Sequence, residues 1–311
     1  MNENSTHNTF SMAPAAPQTL NCFAPAKINL YLHITDRLDN GYHTLDTLIA
    51  FADIGDLLKI ENAKSFCYQV DGPFSKGLAN NSKNLVSHAA HAIAKASGNE
   101  LNVRITLTKN LPVAAGIGGG SADAAATIRG LMKWWNIAQD EPYLPELTLS
   151  LGADTPICFS SKPARVHGIG EKTDRAPTFP ELSVILINPM RACHTPAIFN
   201  AYDENKKNHK PLLDIPEHLS NPDHFISFLD KQNNDLQDIA AKKIPEIIHI
   251  IETLKNHPDC ALARMSGSGA TCFGLFKNKT QAQKAFKEIK HDHPQWWVQT
   301  GTLRNSNTLF P

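Results

Sequence analysis

The stretch that most constrains this chain runs from Leu111 to Gly130, "LPVAAGIGGGSADAAATIRG". Four of the five positions from Gly116 to Gly120 are glycine, and an alanine-rich run follows. The segment before it, "LNVRITLTKN", alternates and sets Leu101, Val103, Ile105 and Leu107 on one face of a strand. The segment after it, "SADAAATIRGLMKWW", has helix-forming Ala, Leu and Met in its body, with Ser121 or Asp123 serving the first turn. A helix start offers free N–H groups at the positive end of a dipole, which favours an anion. Glycines let the backbone come close to that anion. The loop therefore reads as a phosphate cradle.

Two familiar cradles do not fit. A Walker loop needs a lysine directly after its last glycine, and none stands there. A dinucleotide fingerprint matches at Gly116 and Gly118, but Ser121 takes its last place. The surrounding strands also read as antiparallel, which argues against a dehydrogenase.

Elsewhere the pattern is mixed α and β. "CFAPAKINLYLHIT" reads as a half-buried strand with Ile28, Leu30, Leu32 and Ile34 on one face. Asn40-Gly41 marks a hairpin. "TLDTLIAFADIGDLLKIEN" reads as two strands around an Ile-Gly-Asp turn, and "NLVSHAAHAIAKA" as a helix begun by Asn84. A helix ends at Gly152, and short strands are expected around "PICFSSKPARVHGIGEK". After the proline-bearing break "DRAPTFPEL", the order reads β-α-β-β-α-β, with extra helix in the first crossover and a kink or new start at Pro245. That order predicts a ferredoxin-like layer. Residues 203–222 form a polar insert that this reading leaves mobile. A chain of 311 residues is long for one core. The expected division is a flexible tail at 1–20, an N-terminal domain at 21–180 and a C-terminal domain at 181–311.

Charge and cysteines exclude several classes. Thirty basic residues balance thirty acidic ones, which leaves no nucleic-acid footprint. The six cysteines form neither a CxxC pair nor a zinc pattern and read as reduced cytoplasmic thiols. No apolar run is long enough to span a bilayer, and the first twenty residues lack the features of a secretory signal.

Taken together, three segments carry a resemblance. "LPVAAGIGGGSADAAA" resembles the second motif of the GHMP kinases, the galactokinase, homoserine, mevalonate and phosphomevalonate kinase superfamily. "RMSGSGATCFGLF" resembles the superfamily's third motif. "APAKINLYLHITDRLDNGYHTLDTL" resembles the first motif of the branch that phosphorylates a cytidine-diphosphate derivative of methylerythritol. "SLGADTPICF" and "NPMRACHTPAIF" also resemble that branch. Many members of the superfamily end this loop with Ser-Ser or Ser-Ser-Ala, whereas "GGGSAD" has a single serine.

The resemblance implies an α+β fold of two domains, one like the second domain of ribosomal protein S5 and one ferredoxin-like. It implies ATP as phosphoryl donor, Mg²⁺ as its expected companion, and a small substrate bearing a cytidine diphosphate group. The acceptor is a tertiary 2-hydroxyl. Asp154 matches the family's catalytic aspartate, placed to accept the hydroxyl proton, and Lys27 its catalytic lysine. The phosphate loop would comprise Pro112, Val113, Ala114, Ala115, Gly116, Ile117, Gly118, Gly119, Gly120, Ser121 and Ala122. Asn84 and Lys109 match positions near the adenine. Asn29, Tyr42, His43, Thr195 and Phe199 match substrate contacts, with Tyr42 and Phe199 offering opposite faces to a cytosine ring. Gly267 and Gly269 would close the site from the second domain or simply turn a hairpin. Metal ligands and oligomeric state are left open. The competing readings are a sister kinase with another small alcohol and a non-catalytic nucleotide-binding protein of the same fold.

Overall fold

The computed structural model describes residues 19–78, 84–204 and 210–305, so residues 1–18 of the expected tail lie outside it. Thr19 and Leu20 already belong to β1, Thr19–Arg37, where they pair with Glu61 and Ile60. Its antiparallel partner is β2, His43–Asn62. The Asn40-Gly41 turn joins them as expected. Gly41 has φ 85°, and its N–H donates to Leu38 O at 2.9 Å.

β2 is one continuous strand, not two around a turn. Gly55 sits in its middle, where a Cβ would lie 2.3 Å from Ala24 O of β1. The residue permits close backbone contact inside a sheet instead of making a corner. β2 is the spine of the first half. One edge holds β1, and the other holds β5 (Ala164–Gly168), β4 (Val103–Thr108) and a short stretch of β10 (Trp297–Arg304). β3, Cys67–Asp71, pairs parallel to β4 and was not among the expected strands. β6, Lys172–Arg175, pairs with β5.

β1 is buried on both faces from Ala24 to Ile34, and within that stretch its register against β2 shifts at Pro25/Lys27 and again at Asn29/Tyr31. Asn29 pairs with Ile49 and Tyr31 with Leu48, so Leu30 is an extra residue in a bulge. Ile28 and Leu30 pack into one core cluster, whereas Leu32 and Ile34 pack into another. The single apolar face predicted for all four residues is thus split, because one inserted residue reverses the phase of every side chain after it.

Helix α1, Leu85–Ser97, starts where expected, with Asn84 Oδ1 accepting from the Val86 N–H at 2.8 Å. Helix α2, Gly119–Trp135, follows the glycine loop, but neither Ser121 nor Asp123 caps it; its first position is preceded by Gly118 at φ 64°. α3 covers Leu144–Ser150. α4, Thr155–Ser160, replaces strand structure expected around "PICF", and Pro156 suits its first turn.

The second half comprises β7 (Leu182–Asn188), α5 (Thr195–Glu204), α6 (Pro222–Asp230), α7 (Gln237–Lys243), α8 (Glu246–Asn256), β8 (Leu262–Met265), β9 (Cys272–Phe276), α9 (Lys279–Asp292) and β10. The order β10-β7-β9-β8, antiparallel throughout, is the ferredoxin-like arrangement the sequence predicted. Pro245 starts α8 rather than kinking a longer helix. Among the described residues, ten strands share one sheet across both halves. α1 and α2 pack on the first half through Ile93, Ala125 and Ile128 against Ile60 and Ile105. α7, α8 and α9 cover the second through Ile239, Ile247 and Ile289. Each of these buried isoleucines contributes about 1.5–3 kcal/mol by leaving water.

Part of the polar insert, residues 205–209, lies outside the described residues. The rest is anchored. Leu213 N–H donates to Asp46 Oδ2 at 2.8 Å, and Leu219 N–H to Thr178 O at 2.7 Å. Asp46 is wholly buried, takes both Arg165 Nε and Nη2, and accepts from the Tyr31 hydroxyl. Burial pushes its carboxyl pKa upward, but the bonds from Arg165, Leu213 and Tyr31 outweigh that and hold it below the ordinary carboxylate value.

Candidate active site

A cavity of about 990 Å³ opens between the two halves of the sheet. Its floor is β1, whose Lys27, Asn29 and, after the bulge, Leu32 face inward. One wall is the glycine loop and the start of α2. The others are the β1–β2 turn, the start of α4, the β5–β6 turn, the start of α5 and the turn between β8 and β9.

Lys27 Nζ donates to Asp154 Oδ1 at 2.7 Å. The lysine side chain is 7% exposed and the carboxylate 45%. Asp154 occupies the position before α4 where an aspartate commonly caps, yet makes no capping bond. Its carboxylate is turned to the cavity and the lysine. Lys27 is also fixed through its backbone, its N–H donating to Ile117 O at 3.0 Å.

The glycine loop is held from two sides. At Gly118, a Cβ would lie 3.2 Å from Lys27 Cβ. At Gly116 (φ 75°) it would lie 2.6 Å from Gly269 O and 2.7 Å from Ser266 O. The third motif packs directly on the second, so Gly267 and Gly269 turn β8 into β9 and also brace the loop. Ser266 Oγ donates to Gly116 O at 3.2 Å and accepts from the Asn29 N–H at 3.1 Å. The sequence favoured a ligand over a bare helix entry as the reason for the loop's glycines; these contacts show that close packing within the protein requires them too.

Pro112, Val113, Ala114, Ala115, Gly119, Gly120 and Ser121 line the cavity with Gly116 and Gly118. Ile117 and Ala122 are buried behind them. Asn84 lines it too, its Nδ2 donating to the Tyr68 hydroxyl at 3.1 Å. Lys109, expected near adenine, reaches the cavity from beneath α2. Its ammonium is buried between Asp56 Oδ2 and Asp123 Oδ2, each at 2.6 Å. Burial pushes its pKa down, but Asp123 and Asp56 outweigh that and raise it. Asp56 Oδ1 also accepts from the Asn110 and Leu111 N–H groups. For Asp123, burial dominates and drives the carboxyl pKa upward against the attraction of Lys109. Its Oδ1 is buried without a hydrogen-bond partner. Local sequence offered Asp123 only as a helix-start residue, because its partners are brought by β2 and the end of β4.

At the other end, Tyr42 is 64% exposed at the cavity rim, while His43 is buried. His43 packs against Phe199, ring centroids 5.2 Å apart, and meets Asp203. Thr195 Oγ1 lies 2.7 Å from Ser268 Oγ. Asn29 Nδ2 donates to Thr47 Oγ1 at 2.9 Å, and Asn29 Oδ1 is buried without a partner. The fold therefore brings Lys27, Asn29, Tyr42, His43, Asn84, Lys109, Asp154, Thr195 and Phe199 to one cavity. Ser266 and Asp203 were not singled out in the sequence, and Asp123 was named only for the start of the helix. Asp203 had a signal, four residues after Phe199 on one helix face.

The chain is similar to known proteins over most of its length. Residues 84–162 match the GHMP kinases N terminal domain, and residues 225–295 the GHMP kinases C terminal. The chain is 44% identical over 295 residues to 4-diphosphocytidyl-2-C-methyl-D-erythritol kinase of Roseobacter denitrificans, covering 94% of this chain and 96% of that one. It is 41% identical to the enzyme of the same name from Paramagnetospirillum magneticum, covering 90% and 97%. A crystal structure of 4-(cytidine 5'-diphospho)-2C-methyl-D-erythritol kinase superposes with TM-score 0.74 at 29% identity, over 91% of this chain and 99% of that one. Homoserine kinase from Cytophaga hutchinsonii, at 16% identity and TM-score 0.66, shares the fold.

Proposed function

The chain belongs to the 4-diphosphocytidyl-2-C-methyl-D-erythritol kinases of the GHMP family, and from that membership we propose its reaction. It transfers the γ-phosphoryl group of ATP to the 2-hydroxyl of 4-diphosphocytidyl-2-C-methyl-D-erythritol, a step in isoprenoid precursor synthesis. The observation that carries the reading is the Lys27–Asp154 pair, 2.7 Å apart, in the cavity that the glycine loop lines.

Asp154 accepts the proton of the attacking hydroxyl as the new O–P bond forms and the bond from the γ-phosphorus to ADP breaks. Lys27 stabilises the negative charge that develops on the acceptor oxygen. The loop from Pro112 to Ala122 receives the triphosphate, with backbone N–H groups at the start of α2 supplying the complementary field. Asn84 sits at the end of the cavity read as the adenine site. Lys109, tied to Asp56 and Asp123, supports the loop from below. Tyr42 and Phe199 take the cytosine ring between them, with His43, Asn29 and Thr195 as polar contacts.

Among the described residues, no group of three or more His, Cys, Asp or Glu side chains converges as a metal site. A magnesium ion carried by a triphosphate needs only one or two protein oxygens. Asp123 Oδ1, buried, unpartnered and on a residue lining the cavity, fits that need. Mg²⁺ would supply charge neutralisation on the phosphates when bound. No described helix is long and apolar enough to cross a membrane. All six cysteines are free, which supports a reducing, cytoplasmic setting.

The test is turnover with ATP and each of three alcohols: the cytidyl substrate, mevalonate and homoserine. The cytidyl substrate should be preferred by orders of magnitude in kcat/KM. Preference for either other alcohol overturns the substrate assignment, and binding of ATP without turnover of any of them overturns the kinase reading.

A further inference from the structure

Thr195, Phe199 and Asp203 recur every four residues along α5 and share one face of it. That face meets the hairpin that carries Tyr42 and His43. His43 Nε2 lies 2.6 Å from Asp203 Oδ1, with the side chains only 5% and 23% exposed. Arg37 Nε, on the other strand of the hairpin, lies 3.3 Å from Asp203 Oδ2. Asp203 thus takes one contact from β1 and one from β2. Phe199 packs on the imidazole at 5.2 Å, and Tyr202 meets it edge-on at 5.8 Å.

Tyr42 and His43 line one wall of the cavity, Thr195 and Phe199 another, and Asp203 is not among the lining residues. A carboxylate oxygen accepts, so the contact puts the ring proton on Nε2 and fixes both the tautomer and the rotation of the imidazole. The same bond joins the two walls. A flat ring held between Tyr42 and Phe199 needs their separation fixed before it arrives, since ordering the walls on binding would subtract from affinity.

We propose that Asp203 is a positioning residue for the cytidyl substrate: acting through His43, it sets the gap between the hairpin and α5 and so governs the KM for that substrate. This rests on the reading of that end of the cavity as the cytidyl subsite.

The experiment is steady-state kinetics, for both substrates, on wild type, Asp203→Ala, Asp203→Asn, Asp203→Glu, His43→Ala and the double His43→Ala/Asp203→Ala variant. Melting temperature and ATP-analogue affinity check folding. Asp203→Ala and Asp203→Asn should raise the KM for the cytidyl substrate about tenfold, the scale of a lost charge-assisted hydrogen bond, with kcat and the KM for ATP little changed. Asp203→Glu should recover much of the loss. The double variant should be no worse than His43→Ala alone, because Asp203 acts through that ring. An unchanged cytidyl KM in both variants, multiplying effects in the double variant, or a uniform loss in kcat and both KM values would each overturn the proposal. Should Asp203→Ala fail to fold, the isosteric Asp203→Asn decides. A wild-type enzyme that ignores the cytidyl substrate would instead sink the subsite reading itself, before any variant is compared.

Discussion

Lys27 and Asp154 stand 127 positions apart in sequence, yet their charged atoms lie 2.7 Å apart in the cavity. β1 supplies the ammonium and the first residue before α4 supplies the carboxylate. The pair has the geometry for proton acceptance beside a fixed positive charge.

Asp154→Asn should therefore retain ATP-analogue affinity within about twofold while kcat falls by roughly 10²–10⁴, the usual range for a lost general base. Single-turnover phosphoryl transfer and analogue titration measure the two separately. A kcat near wild type would remove Asp154 from the chemistry.

Tyr42→Ala should leave folding almost untouched, since the side chain is 64% exposed. Its effect should appear in the KM for the cytidyl substrate, about tenfold higher if the ring stacks on cytosine, with the KM for ATP unchanged. Equal weakening of both ligands would speak against stacking.

Two glycine substitutions in the same loop should diverge. Gly116→Ala puts a methyl 2.6 Å from Gly269 O at a φ of 75°, against backbone that cannot yield. It should lower stability by about 1–3 kcal/mol and weaken ATP binding. Gly120→Ala meets only Leu85 Cδ1 at 3.3 Å and should fold normally. Thermal melts distinguish them; identical melting temperatures would show that the loop does not lean on the third motif.

Asp46→Asn should destabilise the protein by about 3 kcal/mol at neutral pH, because it breaks a buried pair with Arg165. The folded-state pKa of Asp46 lies below its ordinary 3.8. Its contribution is therefore present above that value and lost as pH falls through the folded pKa. Urea unfolding of wild type and variant should show a gap that is full at pH 7 and narrows only below about pH 4. A gap independent of pH would mean the carboxylate charge is not what anchors Leu213.

The Asn40-Gly41 hairpin, the Asn84 cap, the order of elements in the second half and the strand-loop-helix around Gly116 were all legible in sequence. Each depends on backbone preferences or side-chain periodicity within about ten residues, which neighbours along the chain largely decide. The same local reading failed at Gly55 and Leu30. Gly55 looked like a turn because the reason for a glycine there is the Ala24 carbonyl on another strand. Leu30 looked like one more alternating residue because its bulge exists only relative to β2. Lys109 and Asp123 stand fourteen positions apart in sequence, and the fold sets the Lys109 ammonium between Asp123 and Asp56, which β2 brings alongside. The motifs determined which chemistry was to be expected. The tertiary structure decided which charges meet, because an ion pair, a bulge or a close glycine contact depends on what the sheet brings alongside, and that partner lies far away along the chain.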